Sequence, residues 1–226
     1  MEMLVCVALI LAACQPQYEP TSSYVVQDIE GWTLYVNKSL LDENKELGRE
    51  VLRLLSVKLY DINRTVPKKS LDELHKVPIW VEVQDKDIRC ACYHESKEWL
   101  TEHGFNPEKA KAVEIGNART FLTWTLDQPS MVLHELAHAY HHWVLGVHNP
   151  EILAAYKRAV ENKSYESVLR YNGRTERAYA LNDAEEYFAE LTEAYFGQND
   201  FYPFVRAEVM QHDPSMCALL KKLWGE

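Results

Sequence analysis

Two histidines separated by one helical turn, His134 and His138, are the residues of this chain whose types and spacing best suit catalytic chemistry. On a helix that advances about 100° per residue they lie about 40° apart, so both imidazoles face the same side. Two imidazoles in this arrangement can bind one zinc ion, and Glu135 between them is near enough to take a proton from water. The spacing therefore predicts a zinc site that activates water for hydrolysis. The alternative is a histidine-rich surface helix without a metal.

A capped helix of about four turns is expected to carry these residues. Asp127 is its predicted N-cap, Pro129 lies in the first turn, and Gly146 stands where a glycine commonly ends a helix. The residues inside the motif, Leu136 and Ala137, are apolar. This favours a helix that is buried beside an active site over one that is fully solvated.

Two more histidines, His141 and His142, follow on the same helix. One straight helix does not arrange three histidines around a single ion, so we interpret this pair as packing residues or as supports for the ligands. A third protein ligand is therefore expected from another element.

A second predicted helix, capped by Asn182 or Asp183, offers that ligand. Glu186 and Glu190 lie about 40° apart on one side of it. Asp183 and Glu193 extend the same acidic side. Alone, this pattern is typical of a solvated acidic face. Beside a His-Glu-x-x-His helix it predicts that Glu186 binds the metal and that Glu190, one turn later, braces the ligands.

The sequence Glu186-Tyr-Phe-Ala-Glu190 after a His-Glu-x-x-His helix resembles the gluzincin metallopeptidases, and among them it resembles the anthrax lethal factor type. The resemblance extends from Val113 to Pro203. It implies a zincin-like fold, one Zn²⁺ per chain as the cofactor, and hydrolysis of peptide bonds in a peptide or protein substrate.

The same resemblance implies a role for each matching residue. His134, His138 and Glu186 are the expected zinc ligands, and Glu135 is the expected general base. Tyr179 stands seven residues before Glu186, as does the tyrosine that stabilises the reacting oxyanion in the lethal factor type.

The segment Val113–Phe121 resembles the edge strand that zincins place above the metal. This implies that Asn117 and Ala118 bind an extended peptide through backbone hydrogen bonds. The alternative is an ordinary strand that flanks the core.

Hydrophobic periodicity predicts strands in the first half of the chain and helices in the second. The strands are expected over Gly31–Leu41 and Val77–Val83 and from Val113 to Ile115, with a helix over Lys45–Leu59 and short helical turns within Glu98–Ala112. The predicted fold class is α+β: one zincin-like metallopeptidase domain over residues 24–226, with a small N-terminal β-sheet and a helical active-site half.

The N-terminus predicts export. The apolar run Leu4–Ala13 is too short to span a bilayer and is typical of a signal peptide, which we assign to residues 1–14. The run ends like a bacterial lipobox, which predicts a lipid anchor at Cys14. An ordinary cleaved signal and a buried first helix are the alternatives. Residues 15–23 have the composition of a short tether, and the mature protein is expected to be secreted or a cell-envelope lipoprotein.

Three cysteines remain beyond this segment. In an oxidising compartment Cys90 or Cys92 can form a disulfide with Cys217. A metal site at the Cys-x-Cys pair is the alternative, although no second pair of ligands accompanies it.

The charge balance excludes one class of partner. Lys and Arg number 24 and Asp and Glu 34, which gives a net charge of -10. A duplex-binding protein needs a basic stripe, so no nucleic-acid partner is expected, and membrane contact is expected only through the lipid anchor at Cys14. Two other functions stay open: a zinc-stabilised binding or structural protein with a degenerate site, and a zinc amidohydrolase that acts on a non-peptide amide.

Overall fold

The computed structural model describes residues 18–85 and 87–226. The predicted signal peptide, residues 1–14, and residues 15–17 of the predicted tether lie outside the described residues. The architecture is α+β, as predicted, with a small mixed sheet formed by the first half and helices that dominate the second half.

The main sheet has five strands in the order β1-β2-β3-β5-β4. The strands are β1 (Tyr24–Ile29), β2 (Trp32–Asn37), β3 (Ile79–Val81), β4 (Ala91–Tyr93) and β5 (Val113–Ile115). β2, β3 and β5 are parallel to one another, whereas β1 and β4 run antiparallel at the two edges. A separate two-stranded ribbon consists of β6 (Val168–Leu169) and β7 (Thr175–Glu176).

Ten helices surround this sheet within the described residues. They are α1 (Lys38–Asp42), α2 (Lys45–Thr65), α3 (Lys68–Leu74), α4 (Lys97–Glu102), α5 (Ala118–Trp124), α6 (Met131–Tyr140), α7 (Pro150–Asn162), α8 (Ala184–Phe196), α9 (Arg206–His212) and α10 (Pro214–Trp224). Short 3₁₀ turns occur at Thr21–Ser23, Pro107–Lys109 and Tyr179–Leu181, and a π-helical segment, His141–Leu145, continues α6.

The two faces of the sheet differ because side chains alternate along each strand. One face carries Leu34, Ile79 and Val113 in register and packs against the helices. The same hydrophobic core includes Trp32 near the start of the fold and Trp224 at its end. The sheet and the helices therefore share one core, which holds the second half of the chain against β3, β4 and β5.

The opposite face, which we call the outer face, carries a buried ion cluster. Lys109, which is 3% exposed, donates to Glu82 at 2.7 Å and to Glu114 at 2.6 Å. His94 Nε2 lies 2.5 Å from the second oxygen of Glu114. A buried charge is tolerated when it is paired and hydrogen-bonded, and here one lysine serves two carboxylates.

The predicted strands and helices occur where expected, with different ends. The strand predicted over Gly31–Leu41 ends at Asn37, because the Asn37 side chain accepts from the Ser39 N–H at 3.0 Å and starts α1. The helix predicted over Lys45–Leu59 continues to Thr65. The strand ends because the side chain of its last residue caps the next helix, and apolar alternation does not reveal such a cap.

The described part of the predicted tether is not a free spacer. The Asn106 side chain donates to the Glu19 carbonyl at 3.1 Å, and Thr21 donates to Glu108 at 2.6 Å. Residues 18–23 therefore pack against the turn at 106–108.

None of the helices within residues 18–85 and 87–226 is both long enough and apolar enough to span a membrane.

Candidate metal centre

Helix α6 carries the His-Glu-x-x-His motif, and it begins later than the sequence predicts. Its N-cap is Ser130 rather than Asp127. The Asp127 N–H is bonded to the Trp124 carbonyl at 2.9 Å in the turn that follows α5, so the chain is not yet helical there. The end is as predicted, since Gly146 stops the helical path with a φ of +80°.

Helix α8 packs against α6 and carries the predicted acidic residues. Asp183 is its N-cap, as one of the two predicted possibilities, and accepts from the N–H groups of Glu185 and Glu186 at 2.9 and 2.8 Å. Satisfying these free N–H groups fixes the first turn of the helix. The first turn is where Glu186 lies, so the cap directly positions that carboxylate.

The three predicted ligands meet in space. His134 Nε2 lies 3.0 Å from Glu186 Oε2, His138 Nε2 lies 3.0 Å from His134 Nε2, and His138 Nε2 lies 3.4 Å from the same Glu186 oxygen. Ligand atoms on a tetrahedral zinc ion, at about 2.0–2.1 Å from it, lie about 3.3 Å from one another. Two imidazole nitrogens and one carboxylate oxygen are also donors that zinc prefers. The three side chains therefore fit a zinc ion in both spacing and chemistry.

Opposite charges shift the pKa values of this group. Burial raises the pKa of Glu186, but hydrogen bonds from His134 and His138 outweigh burial and hold that pKa well below its ordinary value. Burial lowers the pKa of His134, but Glu186 and Glu193 outweigh it and raise that pKa well above its ordinary value. The site thus favours a carboxylate facing a cation, which is the charge pattern that a bound metal satisfies.

The carboxylate that supports His134 is Glu193, not the predicted Glu190. His134 Nδ1 donates to Glu193 Oε1 at 2.7 Å, and Gln128 donates to the same oxygen at 2.8 Å. Glu190 Oε1 is 3.7 Å from His134 Nδ1, beyond a hydrogen bond. Glu193 is seven residues after Glu186 and therefore lies almost directly in line with it on the helix, a spacing that sequence analysis can use.

Glu190 lies deep beside this pair and is 1% exposed. Its Oε2 and that of Glu193 have no hydrogen-bond partner among the described residues. Burial and the neighbouring Glu193 raise the pKa of Glu190 well above its ordinary value. Burial, together with Glu193, also raises the pKa of Asp200 to about 6. The acidic surroundings of His134 are thus more extensive than the helix pattern predicts.

A cavity of about 460 Å³ opens beside the centre. His134, the predicted base Glu135 and the predicted oxyanion ligand Tyr179 all line it. Tyr179 is 47% exposed, and partial burial together with the nearby Glu186 carboxylate raises its pKa to about 12. Its phenol therefore keeps its proton at neutral pH and can donate a hydrogen bond into the cavity.

The prediction that the segment from Val113 forms an edge strand for substrate binding is wrong. β5 (Val113–Ile115) lies between β3 and β4, so it is not an edge strand. Asn117 instead caps α5 by accepting from the Thr120 N–H at 2.9 Å, and Ala118 is fully buried in that helix. Neither residue lines the cavity. Strand order depends on contacts between distant segments, which the local pattern does not contain.

The edge beside the cavity is β4. His94 N–H donates to the Ala112 carbonyl at 2.9 Å, and the Cys90 carbonyl accepts from Asn117 N–H at 3.1 Å. Because bonded and non-bonded directions alternate along an antiparallel strand, the backbone N–H and C=O groups of Ala91 and Tyr93 point away from β5. Arg89, Cys90 and Ala91 line the cavity, so this free edge borders the candidate metal centre.

The two extra histidines have separate surroundings. His141 is 1% exposed, packs against Phe188 with ring centroids 5.2 Å apart, and has no hydrogen-bond partner at either nitrogen among the described residues. His142 Nδ1 lies 2.7 Å from the Tyr93 hydroxyl and its Nε2 lies 3.3 Å from Glu95. Neither belongs to the groups of side chains spaced to hold a metal within the described residues.

The described residues contain no disulfide between Cys217 and either Cys90 or Cys92, the pairing that the sequence allows in an oxidising compartment. Cys90, Cys92 and Cys217 are all free thiols. Cys90 contacts Met131 at the start of α6, whereas Cys217 lies on α10 near Arg206. The cysteines are on different elements of the fold, which their sequence spacing does not reveal.

Comparison with protein-family models, with curated proteins and with solved structures finds no match to this chain.

Proposed function

We propose that this chain is an exported zinc metallopeptidase of the gluzincin kind, with a zincin-like fold. The observation that carries the proposal is the convergence of His134, His138 and Glu186, whose donor atoms lie 3.0 to 3.4 Å apart beside a cavity that also holds Glu135. Bound at these three side chains, zinc would polarise water and a substrate carbonyl and lower the pKa of the water toward about 7.

The chain supplies the remaining chemistry through its own side chains. Glu135 accepts the proton of the attacking water and delivers it to the leaving amine. Tyr179 donates its phenolic hydrogen bond to the carbonyl oxygen, on which negative charge develops. Glu193 holds His134 by its Nδ1–H, so that Nε2 faces Glu186.

An extended peptide fits the free edge of β4. The outward N–H and C=O groups of Ala91 and Tyr93 can pair with a peptide backbone, as in strand addition. β4 borders the cavity that holds Glu135, so a peptide in this position passes beside the base. We therefore assign substrate binding to β4 in place of Asn117 and Ala118.

The first test is metal content. We expect one zinc per chain in the purified protein after dialysis against a weak chelator, and loss of that zinc in Glu186→Ala. Glu185→Ala, which removes the neighbouring carboxylate in the same helical turn, is the matched control and should keep the metal. Zinc retained in Glu186→Ala, or none in the wild type, would contradict the assigned centre.

The second test separates catalysis from metal binding. Glu135→Gln should keep zinc and lose at least about 100-fold in the rate of peptide hydrolysis, because the proton acceptor is gone while the ligands remain. Full peptide hydrolysis by Glu135→Gln would contradict the proposed mechanism. A zinc-loaded wild type that hydrolyses no peptide would instead favour the binding protein or the amidohydrolase.

A further inference from the structure

A second cavity, of about 720 Å³, lies beside β4. Arg89 and Ala91 line both this cavity and the one at the candidate metal centre, so the two adjoin at the start of the strand. The second cavity also contains Cys92 and Phe105, which belong to a small hydrophobic cluster on the outer face of the sheet. It therefore extends from the free edge of β4 toward the outer face.

The wall of this cavity is a preformed aromatic surface. Trp99 is 47% exposed, although tryptophan is a large apolar side chain. It is stacked on His103, with ring centroids 4.1 Å apart and planes 16° apart, and on Phe105, with centroids 5.6 Å apart and planes 23° apart. Because stacking already fixes the rings, binding an apolar group here orders little that was mobile before.

We propose that this cavity binds a large apolar side chain, aromatic or branched aliphatic, of a peptide paired with β4. The inference rests on the proposed peptidase function and names the substrate class of that site. Side chains of an extended peptide alternate between the two faces of the sheet it joins. When one set faces α6 and the metal centre, the alternate set faces the outer side, where this cavity lies.

Charge does not select the occupant. Asp87, Arg89 and Glu95 also line the cavity, so both signs are present. An acidic or a basic side chain would meet attraction and repulsion together. Burial of apolar surface against Trp99 and Phe105 is then the main source of binding free energy.

The test is a series of internally quenched peptides that differ at one position, which holds Ala, Leu, Phe, Asp or Lys, with the position moved along the peptide. For zinc-loaded wild type we expect kcat/KM for Phe and Leu at one position to exceed that for Ala by about 10- to 100-fold. Trp99→Ala should lower this ratio at least about tenfold, while Trp99→Phe keeps most of it. Tyr60→Ala is the matched control, since Tyr60 is an exposed aromatic residue on α2 that lines neither cavity.

The outcomes separate the two proposals. Cleavage with no apolar preference, or with a preference that Trp99→Ala leaves intact, overturns the cavity assignment and leaves the peptidase standing. If no peptide is cleaved, the same Phe and Ala peptides carrying a fluorophore are titrated into the protein and followed by anisotropy. Preferential binding of the Phe peptide that Trp99→Ala removes supports the cavity without the peptidase, and equal or absent binding overturns it.

Discussion

At the scale of single residues, only one of two neighbouring glutamates on α8 is hydrogen-bonded to the His134 imidazole. Glu193 accepts from His134 Nδ1 at 2.7 Å, whereas Glu190 is 3.7 Å away. A carboxylate that holds a metal-binding imidazole sets its tautomer and its orientation.

We expect Glu193→Gln to weaken zinc affinity by about 10- to 100-fold, because the amide is a poorer acceptor for the imidazole N–H. Glu190→Gln is the matched control and should change the affinity less than about threefold, since it does not bond that nitrogen. Competition with a chromophoric chelator measures both. A larger loss in the Glu190 variant would show that the acid one turn after Glu186 supports the ligands instead.

A second residue-scale prediction concerns His141. Burial, together with the nearby His138, lowers the pKa of His141 to about 4. The folded state therefore holds this side chain neutral, while the unfolded chain protonates it near its ordinary value of about 6.5. Its contribution to stability is complete above about pH 6.5 and is lost as the pH falls through the window from 6.5 to 4, by about 3 kcal/mol in total.

We expect His141→Leu to reduce the dependence of the free energy of unfolding on pH between 6.5 and 4. Leucine also removes two buried nitrogens that have no partner among the described residues, so the variant should be at least as stable at pH 7. Urea unfolding of both proteins at a series of pH values measures this. Parallel curves for the two proteins would exclude His141 as the titrating group.

At the scale of elements, the crossing of α1 and α2 depends on one glycine. A Cβ atom at Gly48 would overlap the backbone carbonyl oxygen of Leu40 on α1. Helix propensity alone favours Ala over Gly by about 1 kcal/mol. The overlapping atom belongs to the α1 backbone, which cannot rotate away as a flexible side chain could. The cost of this overlap therefore outweighs the gain in helix propensity.

We expect Gly48→Ala to lower the free energy of unfolding by about 1–3 kcal/mol, opposite in sign to its helix propensity. Ser56→Ala, a substitution on the same helix where a side chain is already present, is the control and should change stability by less than about 1 kcal/mol. Urea unfolding at pH 7 measures the free energy of unfolding of both variants. A Gly48→Ala protein that is more stable than the wild type would contradict this, because α1 and α2 would then have moved apart with no loss of stability.

At the scale of the whole molecule, the ion cluster on the outer face joins segments that are distant in sequence. Lys109 is bonded to Glu82 beside β3 and to Glu114 on β5. Burial raises the pKa of Glu114, but His94 and Lys109 outweigh burial and hold that pKa below its ordinary value. The Glu114 carboxylate therefore stays charged and depends on these two partners.

We expect Lys109→Met to lower the free energy of unfolding by about 3–5 kcal/mol, because it leaves two buried carboxylates without their cation. Lys157→Met removes an exposed pair with Glu161 and should cost less than about 1 kcal/mol. Thermal and urea unfolding of the two variants measure the contrast. Equal effects would mean that water reaches the cluster and screens it.

Local pattern was enough to predict much of the fold and of the candidate site. Helical periodicity places His134 and His138 on one face, and the Asp183 cap and Glu186 follow from the same rules for α8. These properties are predictable because a helix is held together by contacts within about four residues of sequence. The ends of elements were less predictable, as at Asp127, where a turn hydrogen bond competes with the helix.

The sequence by itself determined which side chains share a helix face and where β2, β3, β5, α2, α6 and α8 form. Only the tertiary structure decided that Glu193 rather than Glu190 bonds His134, and that β4 rather than β5 is at the edge of the sheet. The Glu193–His134 hydrogen bond depends on how α6 and α8 cross. The position of β4 at the edge depends on the order of strands that are joined by long connections. Both are set by packing between segments far apart in the chain, for which no local pattern carries the information.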